Sequence, residues 1–306
     1  MMSLHNVKAV SFRRYISIIL IGLGCGGIMT ILLNTGLLKG IELKSLDFRF
    51  LCRGAIPTSN KIVIIGTDED ALDKIKDPFI FWSPYFSEII KAVAGGGAKA
   101  TGLDFLQTIA LKKKVEGEDL DGIMAEALME AQNVTMINLL QWNKSVNGLK
   151  AINPLPRYLH AADPENIGFS NLTIDNDGCV RRQTLLLNDT ENNIYASIGL
   201  KVVAKYLNSN IEKKGDYIWV GGYAIPVNSY NEMLINFAGP SGTFHIISFY
   251  KVWQLAHKRH TEFFTRNFRD KIVLIGPGNI YSQDFKPTPF YRSQYYSGTR
   301  QTLGVE

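Results

Sequence analysis

The stretch Lys61-Ile-Val-Ile-Ile-Gly66 is a compact run of apolar, mostly β-branched residues closed by a glycine, which reads as a buried strand. Just downstream, Phe86, Ile89, Ile90 and Val93 recur at helical spacing, and Gly95-Gly96-Gly97 ends that helix. A second short strand, Ala100-Thr-Gly-Leu-Asp-Phe105, follows at once. Strand, helix and strand in this order form a βαβ unit, which predicts a parallel sheet with a right-handed crossover.

The pattern continues with a helix over 120–131 and a strand over 134–140, then a long loop over 141–165 that holds Asn, Pro and Lys. Residues 167–187 predict a hairpin, because Asp175-Asn176-Asp177-Gly178 places turn formers between two strand-like stretches. Ile198, Val202, Val203 and Tyr206 mark an amphipathic helix, and 217–220, 224–227 and 233–237 read as strands of an antiparallel meander. A helix over 248–257 leads into Lys271-Ile-Val-Leu-Ile-Gly276, a close imitation of the first strand. The expected fold class is α/β: a mixed, partly parallel sheet with flanking helices and antiparallel additions.

Before this domain stands a different kind of segment. Residues 15–38 are 24 positions without one charge, rich in Ile and Leu. A helix of that length spans about 36 Å, enough to cross a bilayer. Lys8, Arg13 and Arg14 precede the run with no acid among them, so residues 1–14 carry +3 of the net +5. A basic flank beside an apolar run is a topology signal, not a nucleic-acid surface, and nucleic acid is not an expected partner. The positive-inside rule places residues 1–14 in the cytoplasm, makes 15–38 a single transmembrane helix, and exports 39–306. A cleaved signal peptide would carry a shorter apolar core and a small-x-small site. Gly22 and Gly26, four apart on one face, permit close helix pairing and hence a homodimer. Of the three cysteines, Cys52 and Cys179 lie in the exported part, where they form a disulfide or remain two small core residues.

Enzyme motifs are lacking. Gly239-Pro-Ser-Gly-Thr243 does not have the glycine spacing of a nucleophile elbow, and Gly276-Pro277-Gly278-Asn279 lacks the third glycine of a dinucleotide fingerprint. His257 and His260 have no ligand partner at metal spacing, and Asp175-x-Asp177-Gly178 has no closing glutamate for a calcium loop. No catalytic residue, metal or cofactor is expected. The informative set is acidic: Asp68 and Glu69 lie beyond the first strand, Asp104 in the second, and Asp284 beyond the last. Carboxyl ends of parallel strands line ligand crevices. These acids either receive the donors of a small-molecule ligand or cap helices and order loops.

From about Ser45 to the end, the chain resembles the second type of CHASE domain, a cyclase- and histidine-kinase-associated sensory extracellular domain. The resemblance rests on ordered motifs: Asp47-Phe-Arg49 and Arg53; the first strand with Asp68 and Ala71-Leu72; Gly96-Gly-Ala-Lys99 and Gly102-Leu-Asp-Phe105; Asp175-x-Asp177-Gly178 with Arg181 and Arg182. Ile235-Asn-Phe-Ala-Gly-Pro240, Thr243-Phe244, Ser248, Lys271-Ile-Val-Leu-Ile-Gly276, Asp284, Thr288-Pro289 and Gly304-Val-Glu306 complete it. One departure stands out. Where such domains carry a W-P-W-x-R-like stretch, this chain reads Phe81-Trp82-Ser83-Pro84-Tyr85 without the arginine, so no ligand role carries over to it.

The resemblance implies a bacterial inner-membrane receptor whose outer domain binds an unknown small molecule. Asp68, Glu69, Asp104, Asp284 and Arg181 are the candidate ligand-binding residues. It also implies a cytoplasmic output domain beyond Glu306, and so a chain truncated at its C-terminus. The competing expectations are a self-assembling membrane protein, with the aromatic stretch 291–296 as contact surface, and a membrane-tethered hydrolase.

Overall fold

The computed structural model describes residues 4–36, 38–111, 119–144, 147–191, 193–278, 285–290 and 302–303. Backbone contacts divide the chain into residues 1–54 and 55–306.

In the first unit, α1 (Leu4–Asn34) contains most of the apolar run, which extends four residues past it, and its window Arg14–Leu32 is long and apolar enough to cross a membrane, with none of it buried. Gly36 adopts φ +71°, a left-handed conformation that glycine enters at little cost and that ends the helix. A second helix, α2 (Lys39–Arg53), follows directly and was not expected from the sequence. It closes at Gly54, whose N–H donates to the Phe50 carbonyl at 3.0 Å.

The second unit begins with β1 (Ile62–Thr67), α3 (Glu69–Lys74), α4 (Ser83–Gly95), β2 (Ala100–Leu103), α5 (Leu120–Ala131) and β3 (Val134–Asn143). It continues with β4 (Gly148–Ile152), α6 (Pro156–Ala162), β5 (Ile167–Phe169), β6 (Thr173–Ile174), β7 (Val180–Thr184), β8 (Leu186–Asn188), β9 (Ile194–Ala196) and α7 (Ile198–Leu207). Then come β10 (Ile211–Lys214), β11 (Tyr217–Val220), β12 (Tyr223–Pro226), β13 (Glu232–Leu234), β14 (Ile246–Ser248), α8 (Phe249–His257), α9 (Thr261–Phe268) and β15 (Ile272–Pro277). The short pair β16 (Phe285–Lys286) and β17 (Thr302–Leu303) ends it.

The main sheet runs β14-β1-β15-β2-β3-β4, and β5 also pairs with β3. All its pairings are parallel except the β3–β4 hairpin. The two look-alike strands lie side by side, in register from Ile62 with Ile272 to Thr67 with Pro277. Both faces of this sheet are covered, which is why its central strands read as unbroken apolar runs. On one face, Ile65, Leu103, Val273 and Ile275 pack with Phe86 and Ile90 of α4, Met124 and Leu128 of α5, Phe249 of α8 and Phe264 of α9. On the other, Ala100 and Ile272 pack against Val202 of α7. A Cβ on Gly102 would lie 2.8 Å from Leu274 and 3.1 Å from Val202, so the β2–α7 contact requires glycine there.

Three expectations need correction, and one further element was unforeseen. The βαβ unit exists, but β15 inserts between β1 and β2. Residues 141–165 are not a loop: β3 runs on to Asn143, β4 returns antiparallel, and α6 follows with a proline in its first turn. That proline reads as a breaker in sequence, yet it is well placed at a helix start, where its missing N–H is not needed. The stretch 233–237 does not join the meander, which is β10-β11-β12; β13 pairs with β7. Finally, α9 was not foreseen.

Gly168 of β5 gives a sharp test of this packing, because a Cβ there would stand 2.5 Å from the Ile198 Cα and 2.7 Å from its nitrogen. Gly168→Ala should destabilise the domain by about 1–3 kcal/mol through backbone displacement. Gly199→Ala, in α7 with nothing within 4 Å of its added carbon, should be neutral or stabilising by up to about 1 kcal/mol. Thermal unfolding of the detergent-solubilised full chain checks both, and equal melting temperatures for the two variants would contradict the packing.

Candidate ligand-binding site

At the carboxyl ends of β1, β15 and β2, the chain opens a cavity of about 590 Å³, a size suited to a metabolite. Its sheet side is Thr67, Gly276 and Pro277, with Asp104 directly after β2. The strand ends meet backbone to backbone there. A Cβ on Gly66 would lie 2.7 Å from the Ile246 side chain, and one on Gly278 would lie 2.8 Å from the Gly66 Cα. The Asp104 N–H donates to the Ile275 carbonyl at 2.8 Å, extending the ladder one step past β2.

The facing wall is aromatic. Phe86 and Phe105 stack with centroids 4.8 Å apart and planes at 22°, and Phe79 meets Phe105 edge-on at 5.4 Å. Trp82 and Phe249 stack at 5.4 Å within the same cluster. The stretch Phe81-Trp82-Ser83-Pro84-Tyr85 therefore builds the start of α4 and this aromatic cluster. Trp82 is buried and its indole N–H donates to the Asp77 carbonyl at 2.8 Å. The Tyr85 hydroxyl donates to Asp77 Oδ2 at 2.6 Å. Burial first, and that hydrogen bond second, push the Tyr85 phenol up to about 12, so it stays neutral at physiological pH.

A buried polar cluster fixes the loop that carries Asp104, Phe105 and Gln107. Asp121, in the first turn of α5, accepts from Gln107 Nε2 at 2.9 Å, from the Leu111 N–H at 3.0 Å and from the Tyr158 hydroxyl at 3.0 Å. Three donors on one carboxylate offset the cost of burying its charge. The Gln107 carbonyl in turn accepts from the Leu155 N–H at 3.0 Å, and Ser83 Oγ lies 3.4 Å from Gln107 Oε1. Burial of Tyr158 drives its phenol well above the ordinary range, so it remains a donor. None of these four side chains was singled out from the sequence. Asp121 sits where acidic residues are common for helix-dipole reasons, and only the fold shows that it points inward.

The candidate residues separate. Asp104 lines the cavity. Asp68 stands at the end of β1 but caps α3, its Oδ1 accepting from the Ala71 N–H at 3.1 Å. Glu69 opens α3 and is exposed. Neither is among the described lining residues. Asp284 lies outside the described residues, as does the stretch 291–296. Arg181 is elsewhere, 2% exposed in β7. Its Nη1 donates to Asp175 Oδ2 and Asp177 Oδ1 at 2.9 Å, and its Nη2 to Asp177 Oδ2 at 2.7 Å. It knits the hairpin turn to its own strand. Arg182 adds ion pairs to Asp175 at 3.3 Å and Glu232 at 3.4 Å. Among the described residues no cluster of His, Cys, Asp and Glu is placed to hold a metal ion. No disulfide joins Cys52 to Cys179; Cys52 is exposed, and Cys179 is buried with its thiol 3.8 Å from the Val180 carbonyl.

The family model described as the CHASE2 domain matches residues 21–306 of the chain. No curated protein and no solved structure matches the chain.

The hairpin supplies its own test. The hydrogen bonds from Arg181 are the largest cause holding the Asp177 carboxyl below its ordinary range. A depressed carboxylate contributes stability above its unfolded pKa of about 4, and that contribution is lost as pH falls through the folded value. Arg181→Met should return the Asp177 pKa to the ordinary range in a carboxyl-carbon NMR titration. It should also cost about 3 kcal/mol, the low end for breaking a buried pair, because Arg182 still faces Asp175.

Proposed function

The chain belongs to the CHASE2 domain family, a family of sensory extracellular domains, and from that premise we propose that it is the ligand-sensing, membrane-anchored part of a signal-transduction receptor. Residues 1–14 stay in the cytoplasm, the apolar helix crosses the inner membrane once, and the α/β domain lies outside, in the periplasm of a bacterial cell. The observation that carries this reading is the window Arg14–Leu32, wholly unburied and joined to a sensory domain. Nineteen residues of exposed apolar helix are costly in water and stable in lipid, and Arg14 at the front favours an inside N-terminus.

In this reading the ligand enters the crevice at the carboxyl ends of the parallel strands, next to Asp104 and close to Asp68 and Glu69. Asp284 follows the same strand in sequence, and Arg181, away from the crevice, holds its own hairpin in shape. Binding shifts the population of domain and helix arrangements, and it does so only by its differential affinity for the two states. The catalytic output belongs to a cytoplasmic partner or further domain, reached through the membrane helix. Pairing of that helix in a homodimer through Gly22 and Gly26 gives it a route.

Alkaline phosphatase fused after Glu306 tests the topology, since that enzyme requires the oxidising side of the membrane. The fusion should be active in intact cells, and replacing Arg13 and Arg14 with Glu should lower its activity severalfold by weakening the inside anchor. An inactive wild-type fusion in stably expressed protein overturns the receptor reading.

A further inference from the structure

The cavity's lining also identifies the kind of molecule it takes. We propose that the crevice beside Asp104 binds a small molecule with a ring-sized apolar body and a cationic, hydrogen-bond-donating head. This rests on the reading of the domain as a ligand sensor and deepens it.

Three observations carry the inference. First, the apolar groups are at the opening as well as in the wall. Phe79, Ile80 and Ile109 line the cavity while 43%, 44% and 68% exposed. Large apolar side chains left open around a concavity mark a binding surface rather than a packing accident. Second, the charge of the lining is one-sided. Among the described lining residues Asp104 is the sole ionisable group, with Thr67, Gln107 and Thr108 as the other polar side chains, and no Lys, Arg or His. Pro277 brings no backbone donor. Among these described residues phosphates and carboxylates find nothing to neutralise them, whereas an ammonium or amidinium finds a carboxylate and aromatic faces. A carboxylate offers about four acceptor positions, so Asp104 takes a ligand donor beside any protein donor it already serves. A bare divalent cation is a poor fit, because calcium seeks six to eight oxygens at once. Third, the walls are preformed. Phe105 is stacked on Phe86, and Gln107 is held by the buried Asp121 carboxylate at 2.9 Å, so binding does not have to order them.

The test uses the full chain in phosphatidylcholine nanodiscs, with empty discs as the blank. Phenethylamine and phenylacetate share a ring and differ in the sign of the head, and inorganic phosphate and calcium serve as polar probes. Binding is read by saturation-transfer NMR titration. Phenethylamine should saturate and bind at least about tenfold tighter than phenylacetate, a difference of about 1.4 kcal/mol. Asp104→Asn should abolish that preference. Ile109→Ser, at an exposed position that leaves the fold intact, should weaken both aromatic probes. The inference is overturned if phenethylamine fails to saturate, if phenylacetate or phosphate binds as well, if calcium alone binds, or if neither substitution changes amine binding. The phosphatase fusion separates the two readings. An active fusion with no amine binding removes this ligand class and leaves the sensor, while an inactive fusion removes the sensor whatever the cavity binds.

Discussion

The parallel pairing of Ile62–Thr67 with Ile272–Pro277 holds the domain together. These strands come from opposite ends of the domain, so everything between them is closed into one loop when they meet. Closing so long a loop is entropically unfavourable, and the offset comes from burying both faces of the sheet. Ile65, Val273 and Ile275 face one helical layer, while Ile272 faces α7. Near-identical strands suit this arrangement, since each supplies the same flat, β-branched surface to both layers. At their carboxyl ends glycines interrupt the large side chains, at Gly66 in β1 and at Gly276 and Gly278 in and just past β15. Gly66 and Gly278 approach so closely that neither tolerates a Cβ without displacement.

That close approach decides where a small molecule has room. Where the strand ends carry glycine and small side chains, the sheet edge leaves a shelf, and the loop after β2 forms the opposite wall. A loop in that position is ordinarily mobile. Here it is tied down by a carboxylate from α5 and a phenol from α6. The aromatic cluster of Phe79, Trp82, Phe86 and Phe105 joins core to cavity without a break. The lining of the crevice is thus packed continuously with α4 and the helical layer.

The acidic residues of the domain fall into distinct physical roles despite similar positions in the sequence. Asp68 is consumed by a helix cap, Asp121 by a buried donor cluster, and Asp175 and Asp177 by Arg181. Asp104 is the acid placed on the described cavity lining. The Asp-x-Asp-Gly hairpin is built from charges that pair with each other. Its carboxylates and arginine neutralise one another in a place where separated charges would be costly.

Local sequence determined what local physics controls. Periodicity and glycine placement located α4, α5, α7, α8 and the strands β1, β2, β3 and β15, because side-chain alternation and helix stop signals act within a few residues. The apolar run before the domain was equally plain, since bilayer thickness sets a length that composition alone reveals. Order and partnership were not legible. That β15 separates β1 from β2, that β13 joins β7 rather than the meander, and that the stretch after β3 folds back as β4 and α6 depend on contacts between distant segments. The crevice followed the same division. That Asp104 lies at a strand end could be read from the sequence, and the structure places it on the cavity lining. The crevice's aromatic wall and the inward turn of Asp121 could not be read there, because burial belongs to the assembled layers and to no single stretch of chain.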